Sequence, residues 1–130
     1  MNKKLIFIAE DDPAYCKILQ NTLEKEGYEV VVTLNGEDLL KSARLRESAL
    51  LILDLVMPLK NGFQVLAEMK KDPHLKRIPI IVLSNWGQGN DIKKAKELGA
   101  DDYVIKSDET FYAVINKIKK LPDCIYAREG

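Results

Sequence analysis

Short apolar runs alternate with helix-spaced segments along the whole of this 130-residue chain. The runs are Leu5–Ala9, Val30–Leu34, Leu50–Leu53, Ile80–Leu83 and Tyr103–Ile105. Most are continuous rather than alternating, which suits strands covered on both faces, as in a parallel sheet. The first helix is expected from Pro13 to about Glu26, with Ile18, Leu19, Thr22 and Leu23 inward. Gly27 stands where a left-handed residue would close it. A second helix is expected over Glu37 to Arg46, with Leu39, Leu40 and Ala43 inward. The third opens near Gly62, carries Phe63, Leu66, Ala67 and Met69, and ends before Pro73. The fourth spans about Asp91 to Leu98 and is closed by Gly99. In the fifth, Glu109 to about Lys120, Phe111, Val114, Ile115 and Ile118 recur at helical spacing. Pro122 to Gly130 lacks strong periodicity, so residues 1–121 read as one domain and the rest as a tail or the start of a linker.

The pattern is α/β, five strand–helix units without internal repeat. Right-handed crossovers bring the carboxyl ends of all strands to one edge of the sheet. Ligands of such sheets bind outside that edge, where the strand order reverses. Composition adds exclusions. Lys+Arg and Asp+Glu are balanced at 20 each, so no overall field favours nucleic acid or a membrane surface. No apolar run approaches a membrane span. Two cysteines, Cys16 and Cys124, are too few for a secreted disulfide framework, which points to reduced thiols and a cytoplasmic protein.

The candidate chemistry lies at the strand ends. In IFIAEDDPAY, Ile6 to Tyr15, a buried run stops in Glu10, Asp11 and Asp12. Three carboxylates there repel each other and resist desolvation. The third run ends in LDLVMPLKNG, so Asp54 follows directly on Ile52 and Leu53. With strands one and three as neighbours, Asp54 stands beside Glu10 and Asp11. That set suits a hard cation: Mg²⁺ takes oxygen ligands, keeps several waters, and is often held by one or two carboxylates plus a phosphate. The fourth strand ends at Ser84 and the fifth at Lys106. A hydroxyl and an ammonium facing an aspartate beside a metal describe a phosphoryl site, where positioning and charge stabilisation matter most. Asp54 is the expected nucleophile, forming an acyl phosphate, with Mg²⁺, Lys106 and Ser84 neutralising the transferring oxygens. No GxxxxGK loop is present, so the phosphoryl donor is expected to be another protein.

The EDD run at 10–12, DLVMPLKNG at 54–62, LSN at 83–85 and GADDYVIK at 99–106 occur in this order, each at a strand end. In these elements the chain resembles a response-regulator receiver domain of two-component signalling, of the chemotaxis-regulator kind, over about residues 3 to 121. The resemblance implies a doubly wound, flavodoxin-like parallel sheet of order 2-1-3-4-5. It implies phosphorylation of Asp54 by a histidine kinase or a histidine phosphotransfer protein. It implies Mg²⁺ held by Asp11, Asp54 and the Val56 carbonyl, with Glu10 acting through water. On phosphorylation, Ser84 turns its hydroxyl toward the phosphoryl group and Tyr103 swings inward. The surface of helix four, strand five and helix five is thereby reshaped for a downstream protein. A phosphorylation-dependent dimer is left open, since Asp101 and Asp102 are present but helix five lacks the arginine that usually pairs with them.

Taken singly, these residues have plainer readings. Asp12 suits an N-cap before Pro13, and His74 a solvated loop. Lys93, Lys94 and Lys96 suit a solvated helix face, Cys16 core filler, and Trp86 a loop residue that could touch a partner. Asp54, Ser84 and Lys106 carry the site only as a set. Two departures from the family stand out. Ser107 follows Lys106 where proline with a cis bond is common; a non-proline cis bond is costly, and whether the bond here is cis or trans is left open. Asn85 follows Ser84 where a small residue is usual, and its amide is expected to slow phosphoryl exchange relative to Asn85→Ala. Rival functions are a flavodoxin-type carrier, whose flavin phosphate three acids would repel, and a phosphorylation-independent interaction module.

Overall fold

The computed structural model describes residues 4–85 and 89–129, with backbone alone from 122 onward. Five strands, β1 (Leu5–Ala9), β2 (Glu29–Thr33), β3 (Leu50–Leu53), β4 (Ile80–Ser84) and β5 (Asp102–Ile105), form one parallel sheet in the order β2-β1-β3-β4-β5. Helices α1 (Pro13–Lys25), α2 (Gly36–Leu45), α3 (Gly62–Lys71), α4 (Gly89–Glu97) and α5 (Phe111–Glu129) connect and follow them.

The continuous apolar runs have a simple cause. Alternate residues of a strand point to opposite faces. Leu5, Phe7 and Ala9 of β1 join Leu39, Leu40, Val65, Leu66 and Ala95 from α2, α3 and α4. Ile6 and Ile8 join Cys16, Leu19 and Leu23 of α1 and Val114, Ile115 and Ile118 of α5. Both faces are covered, so both must be apolar. Each Val, Leu, Ile or Phe side chain among them contributes about 1.5–3 kcal/mol when taken out of water.

Local signals set the helix ends. Asp12 caps α1, its carboxylate accepting from the Ala14 and Tyr15 amides at 3.1 and 3.3 Å. Gly27 and Gly99 follow α1 and α4 with φ of +98° and +112°, a region that favours glycine. Asn61 and Gln64 close a reciprocal capping box on α3, each accepting from the other's amide at 2.9 Å.

One expectation needs correction. Ile18 is 54% exposed, because the buried stripe of α1 is Cys16, Leu19 and Leu23, and Ile18 falls beside it. The backbone of α5 runs on through Pro122 to Glu129. Weak apolar periodicity does not forbid a helix, and Ala127, Arg128 and Glu129 favour one. Leu121 is the last residue with a described side chain that packs on the core.

Candidate functional site

The strand register builds the site before any side chain is considered. Ala9 pairs with both Thr33 and Leu53. The ladder continues one residue further: the Glu10 amide donates to the Thr33 carbonyl at 3.3 Å, and the Asp54 amide to the Ala9 carbonyl at 3.0 Å. Glu10 and Asp54 therefore emerge side by side at the carboxyl edge. Across the sheet, Ser84 pairs with Ile105, which sets Lys106 next along the same edge.

Carboxylate oxygens of Glu10, Asp11 and Asp54 lie within 4.8 Å of one another. Glu10 and Asp54 are buried, while Asp11 reaches solvent. Burial pushes the Glu10 carboxyl up to about 7; its hydrogen bond with Lys106 opposes the rise and the adjacent Asp54 carboxylate adds to it. An all-oxygen cluster of this kind, open on the Asp11 side, fits a hard divalent cation. Asp12 stays out of the cluster, as its capping bonds require.

Lys106 reaches the site with its side chain only 6% exposed. Its Nζ lies 2.8 Å from Glu10 Oε2, so its ion-pair partner is Glu10, where the sequence led us to expect Asp54 opposite it. The ammonium compensates a carboxylate whose burial disfavours its charged form. The described peptide bonds include no cis bond, so Lys106–Ser107 is trans, within a 3-10 turn over Lys106–Asp108. Ser84 is buried at the end of β4 and Asn85 is exposed beyond it. The Asp54 carboxylate accepts from the Val56 amide at 3.3 Å, which turns the chain after β3. Tyr103 is already packed inward, 9% exposed, and desolvation pushes its hydroxyl up to about 12, with Asp91 and then Asp54 adding to the rise. Cys16 donates its thiol to the Glu10 carbonyl at 3.4 Å, and burial pushes that thiol up to about 11, the setting of an inert core cysteine. His74 is exposed, and Trp86 lies outside the described residues.

A family model of the response regulator receiver domain matches residues 6–116. The chain belongs to that family. A probable transcriptional regulator, ycf27 of Cyanophora paradoxa, is 40% identical over 106 residues, which are 82% of this chain and 43% of that protein. The chain spans about half the length of the curated relatives it matches. Among solved structures, a CheY-like receiver domain protein from Methanospirillum hungatei has a TM-score of 0.89 at 25% identity, covering 99% of this chain and 100% of that one. The Mn²⁺-bound form of response regulator Rcp1 has a TM-score of 0.76 at 28% identity, covering 97% and 91%. The receiver fold and the sheet order expected from sequence are those observed.

Residue reasoning on the sequence missed one neighbour of Lys106. The ring of Tyr15, in the first turn of α1, lies 4.4 Å from the Lys106 Nζ. Its one signal was helical spacing: Tyr15 precedes Leu19 by four and shares its face of α1.

A second cleft, of about 750 Å³, opens near the opposite edge between Arg44, Arg46, Ser48, His74, Arg77 and Pro79. It has no part in this chemistry, and Arg46 there is held by both oxygens of Glu29, at 2.8 and 2.9 Å.

Proposed function

We propose that this receiver domain accepts a phosphoryl group on Asp54 from a phosphohistidine of a histidine kinase or histidine phosphotransfer protein. The observation that carries the reading is the clustering of Asp54 with Glu10 and Asp11 on one edge, with Lys106 bound into the same cluster. An Asp54 carboxylate oxygen attacks phosphorus, the P–N bond to the donor histidine breaks, and the imidazole leaves. Water later cleaves the acyl phosphate, releasing inorganic phosphate and restoring the carboxylate. Glu10, Asp11, Asp54 and the Val56 carbonyl are the groups that would hold Mg²⁺, which when bound supplies charge neutralisation for the transferring oxygens. Lys106 and Ser84 contact the phosphoryl oxygens from the opposite side. The chain promotes its own phosphorylation and dephosphorylation and is otherwise a switch rather than an enzyme.

The output is a population shift read on the α4–β5–α5 face by a downstream protein. Ser84 and Tyr103 join that face to Asp54, and the buried ring of Tyr103 belongs to one of the two packings. The domain acts in the cytoplasm; no helix among the described residues is long and apolar enough to cross a membrane. The test is exposure to acetyl phosphate with Mg²⁺ followed by intact mass. One added phosphoryl group, absent in Asp54→Asn, is expected. A protein that gains no mass at any Mg²⁺ concentration is an interaction module instead.

A further inference from the structure

We propose that Tyr15 is the positioning residue for Lys106, an aromatic platform on which the ammonium pivots between Glu10 and the phosphoryl group. The inference rests on the assignment of Asp54 as phosphoacceptor. Among the described residues, two groups lie against the Lys106 amine. One is the Glu10 carboxylate at 2.8 Å and the other is the face of the Tyr15 ring at 4.4 Å from its centroid. That second distance is well inside the range at which a ring attracts a cation.

The two contacts do different things. The bond to Glu10 is directional and ties the amine to one carboxylate oxygen. A ring face attracts the charge without demanding a single direction, so the amine can leave Glu10 and turn toward Asp54 while its charge stays compensated. With both Lys106 and Glu10 about 95% covered, an amine that leaves Glu10 without such a platform would be a desolvated charge between two carboxylates, bonded to neither during the turn.

Tyr15 is braced for this role at both ends. Its backbone amide is held by the Asp12 carboxylate at 3.3 Å. Its ring packs edge-on against Phe111 at the start of α5, centroids 6.0 Å apart and planes at 80°. Ser107 follows Lys106 without a proline to fix the chain's direction, so the side-chain contacts are what aim the amine.

Two variants test the assignment. Tyr15→Leu removes the ring and keeps an apolar, helix-compatible residue; Tyr15→Phe keeps the ring. In the metal-free protein, the ring current should hold the Lys106 Hε protons upfield in wild type and Tyr15→Phe, and Tyr15→Leu should return them to the ordinary lysine position. Phosphorylation of Asp54 by acetyl phosphate with Mg²⁺ should slow about three- to tenfold in Tyr15→Leu and recover in Tyr15→Phe. Urea unfolding of each variant identifies any loss that is merely loss of fold. If wild type is phosphorylated and Tyr15→Leu matches it in rate, or if the Hε shifts do not move, the platform is refuted while Asp54 stands. If wild type gains no phosphoryl group, the Asp54 reading falls and takes the platform's role in transfer with it.

Discussion

Gly62 opens α3 against the backbone of Asp54, and Gly62→Ala should disturb both the fold and the proposed chemistry. A Cβ at this position would lie 2.7 Å from the Asp54 carbonyl oxygen, 2.7 Å from the Leu55 Cα and 2.9 Å from the Leu55 Cδ2. The first two are backbone atoms and cannot rotate away. To reach an ordinary contact of 3.4 Å, the end of β3 and the start of α3 must separate by roughly 0.7 Å. That separation works against the 2.9 Å bond from the Gly62 amide to the Leu55 carbonyl. Overpacking of this kind costs about 1–3 kcal/mol. Alanine's better helix propensity returns at most about 1 kcal/mol, which, taken in full, leaves a net loss of about 0–2 kcal/mol. Because the displaced atom is Asp54's own carbonyl, its carboxylate also moves relative to Glu10 and Asp11. A misplacement approaching 1 Å can slow a positioned reaction by about 10²-fold, so about tenfold slower phosphorylation is expected. Urea unfolding and the intact-mass time course measure the two effects, with Gly89→Ala as control, since nothing lies within 4 Å of a Cβ there. A Gly62→Ala protein as stable as wild type and phosphorylated at the same rate would show that the contact yields easily, and the reasoning fails.

Two more predictions concern charge and strain. The Glu10 carboxyl is held up at about 7 in the folded protein against 4.5 ordinarily. A raised pKa means the folded state binds the proton more tightly than the unfolded one. The stability Glu10 contributes is therefore full below 4.5 and declines as pH rises through 7. In metal-free buffer the stability difference between wild type and Glu10→Gln, from urea titrations across that window, should fall with pH. Added Mg²⁺ should flatten the fall by favouring the carboxylate; a difference that rises with pH contradicts the assignment. Leu59 is the one non-glycine described residue with positive φ, +67°, and its side chain is 73% exposed. Leu59→Asn relieves that backbone with little packing lost, and should raise stability by about 0.5–1 kcal/mol in the same assay.

The sequence revealed strands better than partners. β1 and β3 fall at the expected residues because a buried strand needs apolar side chains on both faces, and such runs stop abruptly. β2 ends at Thr33 rather than Leu34, whose side chain is 58% exposed past the last rung of the ladder. α4 opens at Gly89 and α5 at Phe111, each two residues from expectation, since helix starts depend on caps rather than on periodicity. The acids were legible as a set because strand order alone brings Glu10 and Asp54 together. Which carboxylate Lys106 would hold was not legible. That choice depends on where the trans turn after β5 sets the amine, which a linear pattern does not record. Tyr15 was hidden for a related reason: a tyrosine on a helix face looks like any core aromatic until the lysine that follows β5 is found over its ring.

The same contrast between core and edge argues that the polar edge is kept for function. Two apolar layers hold the sheet on both sides, whereas Lys106 and Glu10 form an ion pair with their side chains about 95% covered. Desolvating such a pair offsets most of its attraction, and replacing both partners by apolar residues of similar volume is often neutral or stabilising by about 1–4 kcal/mol. The double variant Glu10→Met, Lys106→Met should therefore be at least as stable as wild type in metal-free urea unfolding, yet bind Mg²⁺ weakly and take up little phosphoryl group. Lys106→Met alone should be the less stable protein, by about 1–3 kcal/mol, because it leaves the Glu10 carboxyl buried without its cation. That loss should shrink below pH 7, where Glu10 takes up a proton. A double variant less stable than either single one would mean that the pair is a structural element in its own right, and stability alone would then account for its presence at the edge.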